Sequence, residues 1–564
     1  MDNEEIDGLI HLLVPESDLC FSAATDNLGN DLPNSWDEER ELPDADKWYR
    51  EELKSLKDMD VYDLVPCKQI PSGQQIRRGK PVFRIKYDED SRPIRYKIRH
   101  VFKGFEQIYG RDHTKTTSPT ARMESWRLIM HIAASLDWDI QQIDVKTSFL
   151  YGLLPDDEIQ YMEQPRGFEE LGKETWVWKL RRSLYGMKQS GGVWNHTLND
   201  AMLSWESKRL ILDSCIYYRQ TSTRTSIAVV HVDDFLLASS SKEENEHLKA
   251  QMRTKWTLSD LGEARFCVGI AITRDRNGRT ISLSQTALID KIINQFGQAD
   301  ANPVSTPMDP GLKLSRPDLF TLTEEERQSL LKLPYRSLVG TFIYLAIATR
   351  PDIAYAVQQL TQFLDCYSFT HWHAAIRVAH YLKGTRTMWL TIGGNNGTNL
   401  LGFSDSDWAN CPNTRRSIGG YTFSLGSGVV TWSIRKQKTV VTSSCKAEYV
   451  AAFEATKEAL WIRQLLEAID LPPQGPTTIL CDNNAARSLS EDLMLHPRVK
   501  HMDIKYHFLQ ESVQSNKIQL QYISTNDNVA NILTKPLERQ KFTRLRTFLG
   551  LSSASSSTTG GASC

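Results

Sequence analysis

The sequence predicts an α+β chain of several domains. Its 564 residues exceed what one hydrophobic core encloses. Helical and period-two patterns both recur along the chain. Two separate regions place aspartates at the ends of apolar, β-prone runs, where the acid of a soluble loop is not expected.

With 40% hydrophobic and 24% charged residues, the composition is that of an ordinary globular protein. A net charge of -2 neither demands nor excludes a nucleic-acid partner, because an acidic segment can mask a basic groove. Such a segment opens the chain. Residues 1–43 are rich in Asp and Glu, contain Arg40 as their only Arg or Lys, and read as a disordered leader. Nine cysteines are scattered singly with no C-x-x-C pair, which disfavours a zinc knuckle and suits a reducing compartment. No secretory signal and no apolar run of membrane-spanning length is present, so an intracellular protein without a membrane partner is expected.

The elements follow in order. Asp44–Leu56 reads as an amphipathic helix presenting Trp48, Leu53 and Leu56 on one face. From Pro81, Val82, Arg84 and Lys86 alternate with Phe83, Ile85 and Tyr87. After the turn Asp88–Pro93, a second strand carries Arg95, Lys97 and Arg99, giving a hairpin with a basic face. Helices are expected over Met123–Leu136, Ser190–Trp205, Glu243–Lys255, Leu288–Phe296, Pro351–Leu364 and His373–Leu382, with Pro351 suited to a first turn. A strand is expected over Asp139–Val145 and strand pairing over Phe266–Ser284. The run Gly393-Gly394-Asn395-Asn396-Gly397 marks a boundary, and a new α/β unit starts at Asn399. The Ser/Thr/Gly-rich stretch 551–564 reads as an unstructured tail.

The run Ala228–Ala238, AVVHVDDFLLA, carries Asp233 and Asp234 in its middle. Taking adjacent like charges out of water is costly without a partner, and a divalent cation is the simplest one. Asp144 ends a second apolar strand. Two such strands side by side can hold two Mg²⁺ ions about 3.5–4 Å apart, one activating a hydroxyl nucleophile and one neutralising phosphate oxygens. Asp156-Asp157, by contrast, follows Pro155 in a polar stretch and reads as a solvated turn. Further on, Asp405 sits in another apolar strand and Glu448 opens a helix with Ser444 as its cap. In that helix Tyr449, Ala452, Ala455, Ala459, Ile462 and Leu466 recur at helical spacing. Asp482 ends the strand that starts at Thr477, so three acids could converge on a second metal site.

Together, Gln142–Gly152 (QIDVKTSFLYG), Tyr161–Phe168 (YMEQPRGF), Leu184–Ser190 (LYGMKQS), His231–Asp234 and Asp260–Glu263 (DLGE) resemble the reverse transcriptase of copia-type retrotransposons. Order and spacing match, and the likeness runs from about Trp48 to about Leu549. Arg415-Arg416-Ser417, Lys436–Thr439 and Lys500–His507 are similar to the RNase H domain of the same elements. The resemblance implies a right-hand polymerase followed by an α/β RNase H-like domain. Fingers and palm would occupy residues 44–295, thumb and connection helices 296–395, and the RNase H-like domain 396–550.

Roles follow from the same resemblance. Asp144, Asp233 and Asp234 would be the palm carboxylates holding metal. Phe149 would block a 2′-hydroxyl, Lys97 and Arg99 would grip the incoming triphosphate, and Gln189 would support nucleotide and template. Asp405, Glu448 and Asp482 would take three carboxylate positions of a nuclease that degrades RNA in an RNA–DNA hybrid. The implied cofactor is Mg²⁺, two ions per site, or Mn²⁺ in its place. Implied partners are an RNA template, a DNA primer, the hybrid and dNTPs, with the integrase and capsid proteins of the same element. The implied location is the cytoplasm, inside a virus-like particle if the element is intact, with a nuclear stage.

The chain departs from the pattern in places. His231 stands where Tyr is commonest, and Gly191-Gly192 where Pro-Arg is. At the fourth nuclease position Asn531 replaces Asp, offering an oxygen but no charge, so a weakened nuclease is expected. Asp527, four residues earlier, could share a helical face with it. With no protease Asp-Thr/Ser-Gly motif and no zinc-binding integrase head, the alternative is a truncated, inactive relic that only binds nucleic acid. His371, His373, His496, His501 and His507 lack cysteine partners and read as structural or solvated.

Overall fold

The computed structural model describes residues 45–87, 93–221, 223–318, 322–395, 399–491 and 503–553. The acidic leader, His496, His501 and residues 554–564 lie outside these ranges. Among the described residues, no single helix is long and apolar enough to cross a membrane.

The first helix runs Ala45–Asp58. Leu56 and Tyr49 are buried, with Trp48 and Leu53 packed at the margins of small apolar clusters. Beside it lies the antiparallel hairpin of Gly79–Tyr87 and Pro93–Phe102, as the alternation predicts. The Tyr49 hydroxyl and His100 Nδ1, 2.6 Å apart, tie the helix to the hairpin. A four-stranded sheet in the order Tyr62–Pro66, Trp176–Leu180, Gln160–Glu163, Ile76–Arg77 completes this region.

The centre is a six-stranded antiparallel sheet in the order Leu258–Glu263, Asp139–Val145, Asp234–Ser239, Thr225–His231, Ile216–Gln220, Lys208–Arg209. Both of its faces are covered, which explains the nearly continuous apolar run around Asp233. Ile227, Val229, Leu236 and Ala238 join one core with the helix Met123–Ser135. Ala228, Val230, Phe235 and Leu237 join another with the helices Ser190–Ser204 and Lys242–Arg253. On the edge strand the register shifts between Asp260 and Gly262, and Gly262 takes a φ of +71°, so this glycine marks a bulge.

Two later helices differ from expectation. Pro351–Ile353 is a short 3-10 turn and the α-helix is Ala354–Thr361. Arg350 and Asp352 are buried here and pair at 2.8 Å, while the Tyr381 hydroxyl donates to Asp352 at 2.5 Å. The helix Phe369–Gly384 begins before His373 because Ser368 and His371 form a capping box.

A five-stranded antiparallel sheet crosses the expected domain boundaries. Its order is Phe266–Cys267, Ile270–Asp275, Thr280–Ser284, Trp389–Gly393, Leu551–Ser552. Leu551 and Ser552 are therefore paired rather than part of an unstructured tail; the buried Leu551 side chain anchors them. Arg127, fully buried in the palm helix, donates to the carbonyls of Ile347, Ala348 and Val430 at 2.5, 3.0 and 2.7 Å. Palm, connection and C-terminal unit thus share one core.

That C-terminal unit is RNase H-like. Its five-stranded sheet has the order Val429–Lys436, Ile418–Ser424, Leu401–Asp407, Thr477–Cys481, Ile518–Tyr522. The first three strands are antiparallel, and the last two run parallel to Leu401–Asp407. The 25-residue helix Ser444–Ala468 lies on it, with Tyr449, Ala452, Ala455, Ala459, Ile462 and Leu466 all buried. Its cap is Ser443 rather than Ser444: the Ser443 side chain accepts from the Lys446 N–H at 3.3 Å, and Ser444 is already helical.

Candidate active sites

In the palm sheet, Asp234 stands directly opposite Asp144 on the neighbouring strand. His231 pairs with Asp234, which leaves Val232 and Asp233 as the central residues of a two-residue turn. Val232 has a φ of 58°, a left-handed conformation that a β-branched residue adopts only when its surroundings impose it. The surroundings are clear. The Trp194 indole N–H donates to the Val232 carbonyl at 2.7 Å, and the Val145 N–H donates to the Asp233 carbonyl at 2.9 Å.

Burial, then the charges of Asp144 and Asp234, push the Asp233 carboxyl up to about 6. Asp234 is raised by burial and by Asp144. Carboxyls held in this way favour a cation nearby. Arg99 partly relieves Asp233, and its guanidinium lies 4.3 Å from the Tyr185 ring centre. The Phe149 ring is 5.7 Å from the same ring. Arg99 and Phe149 are thus gathered around one aromatic beside the carboxylates. Lys97 stands opposite Arg84 on the hairpin, and its side chain lies outside the described residues.

Gln189 is held by the protein. It is buried, its amide nitrogen donates to the Asp112 carbonyl at 3.2 Å, and its oxygen accepts from Gln107 at 3.0 Å. Both ends of the side chain thus have protein partners, which fix the amide in place.

In the RNase H-like unit, Asp405 lies mid-sheet, Glu448 one turn into the long helix, and Asp482 just beyond the strand Thr477–Cys481. Each offers an oxygen, and these atoms lie within 4.8 Å of one another, the only such group among the described residues. The palm carboxylates are spread more widely. Burial raises Asp405, and burial with the charges of Asp405 and Asp482 raises Glu448 well above the usual range. Glu448 Oε1 accepts from the Ser406 N–H at 3.2 Å, whereas its buried Oε2 has no hydrogen-bond partner. An all-carboxylate donor set with an orphaned oxygen fits a hard divalent cation.

The residues after Asn531 were not singled out from the sequence, yet they reach this centre. The Thr534 hydroxyl donates to Asp405 Oδ2, and Lys535 Nζ lies 3.2 Å from that oxygen. The available signal was the Thr534-Lys535 pair that follows the apolar Ile532-Leu533. Asn531 itself is fully buried, and its amide nitrogen donates to the carbonyls of Thr525 and Asn528 at 2.6 and 3.0 Å. Asp527 does not share its helix, which begins at Asn531; it lies in the preceding turn and pairs with Arg544 at 3.2 Å. Asp407, on the same strand as Asp405, is held by Asn410.

A carboxylate turn in a palm sheet, followed by an RNase H-like sheet, defines a reverse-transcriptase class of protein. Residues 59–310 match the family described as reverse transcriptase (RNA-dependent DNA polymerase). The chain is 38% identical over 508 residues to the retrovirus-related Pol polyprotein from transposon TNT 1-94 of Nicotiana tabacum, an alignment covering 90% of this chain and 38% of that one. It is 32% identical over 317 residues to a transposon Ty5-1 protein of Saccharomyces cerevisiae, covering 56% of this chain and 100% of the yeast protein. A foamy viral protease-reverse transcriptase solved with double-stranded DNA aligns over 93% of this chain and 80% of its own, at 13% identity and a TM-score of 0.42. The chain belongs to the copia-type retrotransposon Pol family. It spans little more than a third of the tobacco relative, at 38% of its length.

Proposed function

We propose that this chain extends a DNA primer along an RNA template and degrades the RNA of the hybrid it makes. The supporting observation is the turn that sets Asp233 and Asp234 against Asp144. Asp144, Asp233 and Asp234 would hold two Mg²⁺ ions, with Mn²⁺ as a substitute. When bound, such ions acidify a 3′-hydroxyl and neutralise the departing pyrophosphate. Arg99 orients the triphosphate by its guanidinium fork. Phe149 fills the space a 2′-hydroxyl would need. Asp405, Glu448 and Asp482 would hold metal for hydrolysis of the RNA strand.

The substrates are dNTPs, an RNA template and its primer. Integrase and capsid proteins of the same element are the expected neighbours, in a cytoplasmic particle with a nuclear stage. The test is Mg²⁺-dependent extension of a DNA primer on RNA, comparing wild type with Asp233→Asn. Extension lost in Asp233→Asn, with hybrid cleavage retained, supports both centres. A folded wild-type chain that neither extends nor cleaves is a relic that only binds nucleic acid.

A further inference from the structure

We propose that Lys535 acts as the second cation of the nuclease centre, so that this site works with one divalent ion. The inference rests on the nuclease reading above and deepens it. Two ions about 3.5–4 Å apart need a carboxylate that offers an oxygen to each. Asp405 is the buried, central carboxylate, and one ammonium already spans both of its oxygens. Lys535 Nζ lies 3.2 Å from Oδ2 and 3.4 Å from Oδ1, and the Thr534 hydroxyl donates to Oδ2.

This contact is built into the fold. Gly420 is the strand partner of Asp405, and a Cβ added there would meet Leu533 Cβ at 3.0 Å and Thr534 Cγ2 at 3.1 Å. The bare glycine lets the helix Asn531–Thr534 settle against the sheet, so the pairing that fixes Asp405 also fixes Thr534 and the residue after it. Charge agrees with geometry. Asp405, Asp407, Glu448 and Asp482 against Lys535 and Lys541 leave two negative charges, which a single divalent ion neutralises, and Asn531 adds none. The orphaned Glu448 Oε2 and the half-buried Asp482 would supply oxygens to that ion.

In the hydrolysis, a water oxygen attacks phosphorus and the P–O3′ bond breaks with its electron pair on the 3′ oxygen. The Lys535 ammonium donates a proton to that oxygen, and solvent restores it. The water's proton passes to solvent, and the products are a 3′-hydroxyl and a 5′-phosphate.

The test counts Mn²⁺ ions by electron paramagnetic resonance on the full chain carrying Asp144→Asn and Asp233→Asn, with and without Glu448→Gln. A difference of one ion is expected. A difference of two overturns the proposal and leaves the nuclease reading standing, whereas no difference overturns both. A second comparison uses Lys535→Met and Lys535→Arg, with thermal melting as the control for folding. Met at this position should tighten Mn²⁺ binding about tenfold, since a neighbouring cation is gone. It should slow hybrid cleavage by about a hundredfold, with Arg recovering part of the loss. Cleavage at the wild-type rate by Lys535→Met also overturns the proposal.

Discussion

Replacing Trp194 with Phe removes one hydrogen bond and little packing. The ring keeps its place beside Trp256, whose centroid is 5.1 Å away at an interplanar angle of 66°. What it loses is the 2.7 Å bond to the Val232 carbonyl. A buried acceptor left without its donor costs about 1–3 kcal/mol. The left-handed Val232 stores a similar ~1–3 kcal/mol, which the turn tolerates only while both ends are held. Taking about 2 kcal/mol as the loss in the catalytic arrangement, and about 1.4 kcal/mol for each factor of ten, extension should slow roughly 10–30-fold. The assay is single-turnover primer extension across a Mg²⁺ titration, with melting temperature measured in parallel. A Trp194→Phe chain that melts lower yet extends within about twofold of wild type would refute the argument, because Trp194 would then be packing alone.

Other outcomes follow from the same geometry. In metal-free buffer Asp233 titrates near 6 in the native state against an ordinary 3.8, so the native state holds the extra proton between those values and its contribution to stability is lost as pH rises through them. Asp233→Asn should therefore melt higher than wild type above pH 6, by on the order of 2 kcal/mol, with the gap closing near pH 4 and shrinking when Mg²⁺ is added. Equal melting across that range would contradict the burial of this carboxyl. Gly420→Ala should destabilise by about 1–3 kcal/mol and weaken hybrid cleavage more than extension, since the added methyl displaces Thr534 from Asp405; unchanged cleavage would count against it. Arg350→Met leaves a fully buried Asp352 carboxylate unpaired and should cost roughly 3–5 kcal/mol in denaturant unfolding. Arg350→Met combined with Asp352→Leu should recover most of that, and a mild single variant would show that the pair is not what holds the turn.

Much of the polymerase half was legible because burial writes itself into sequence period. The basic hairpin alternates, and the Asp233 run is apolar throughout because both faces of its sheet are covered. Local rules reached less far where two candidates stood side by side, as with Ser443 and Ser444, since either hydroxyl could cap the helix. The rest depended on distant partners. Gln189 looks like a surface amide until Gln107, 82 residues away, arrives to bond it. Thr534 meets Asp405 across 129 residues, and neither carries a periodicity that points to the other. The pairing over Phe266–Ser284 was legible, but the two strands that complete that sheet, Trp389–Gly393 and Leu551–Ser552, were not, because they are short and join it from far away in sequence.

That sheet also governs how the protein is made. A ribosome reaches Leu551 about 270 residues after Thr280, yet both belong to the same sheet. Until the last strand arrives, the outer edge of Trp389–Gly393 has no neighbour, and an open edge is a template for pairing with other chains. A polymerase half synthesised alone would carry that sticky edge. A premature stop or a cut near residue 550 therefore damages more than the nuclease. It exposes a seam on the polymerase side, so shortened copies should clump and be cleared instead of accumulating as free, nuclease-deficient polymerase.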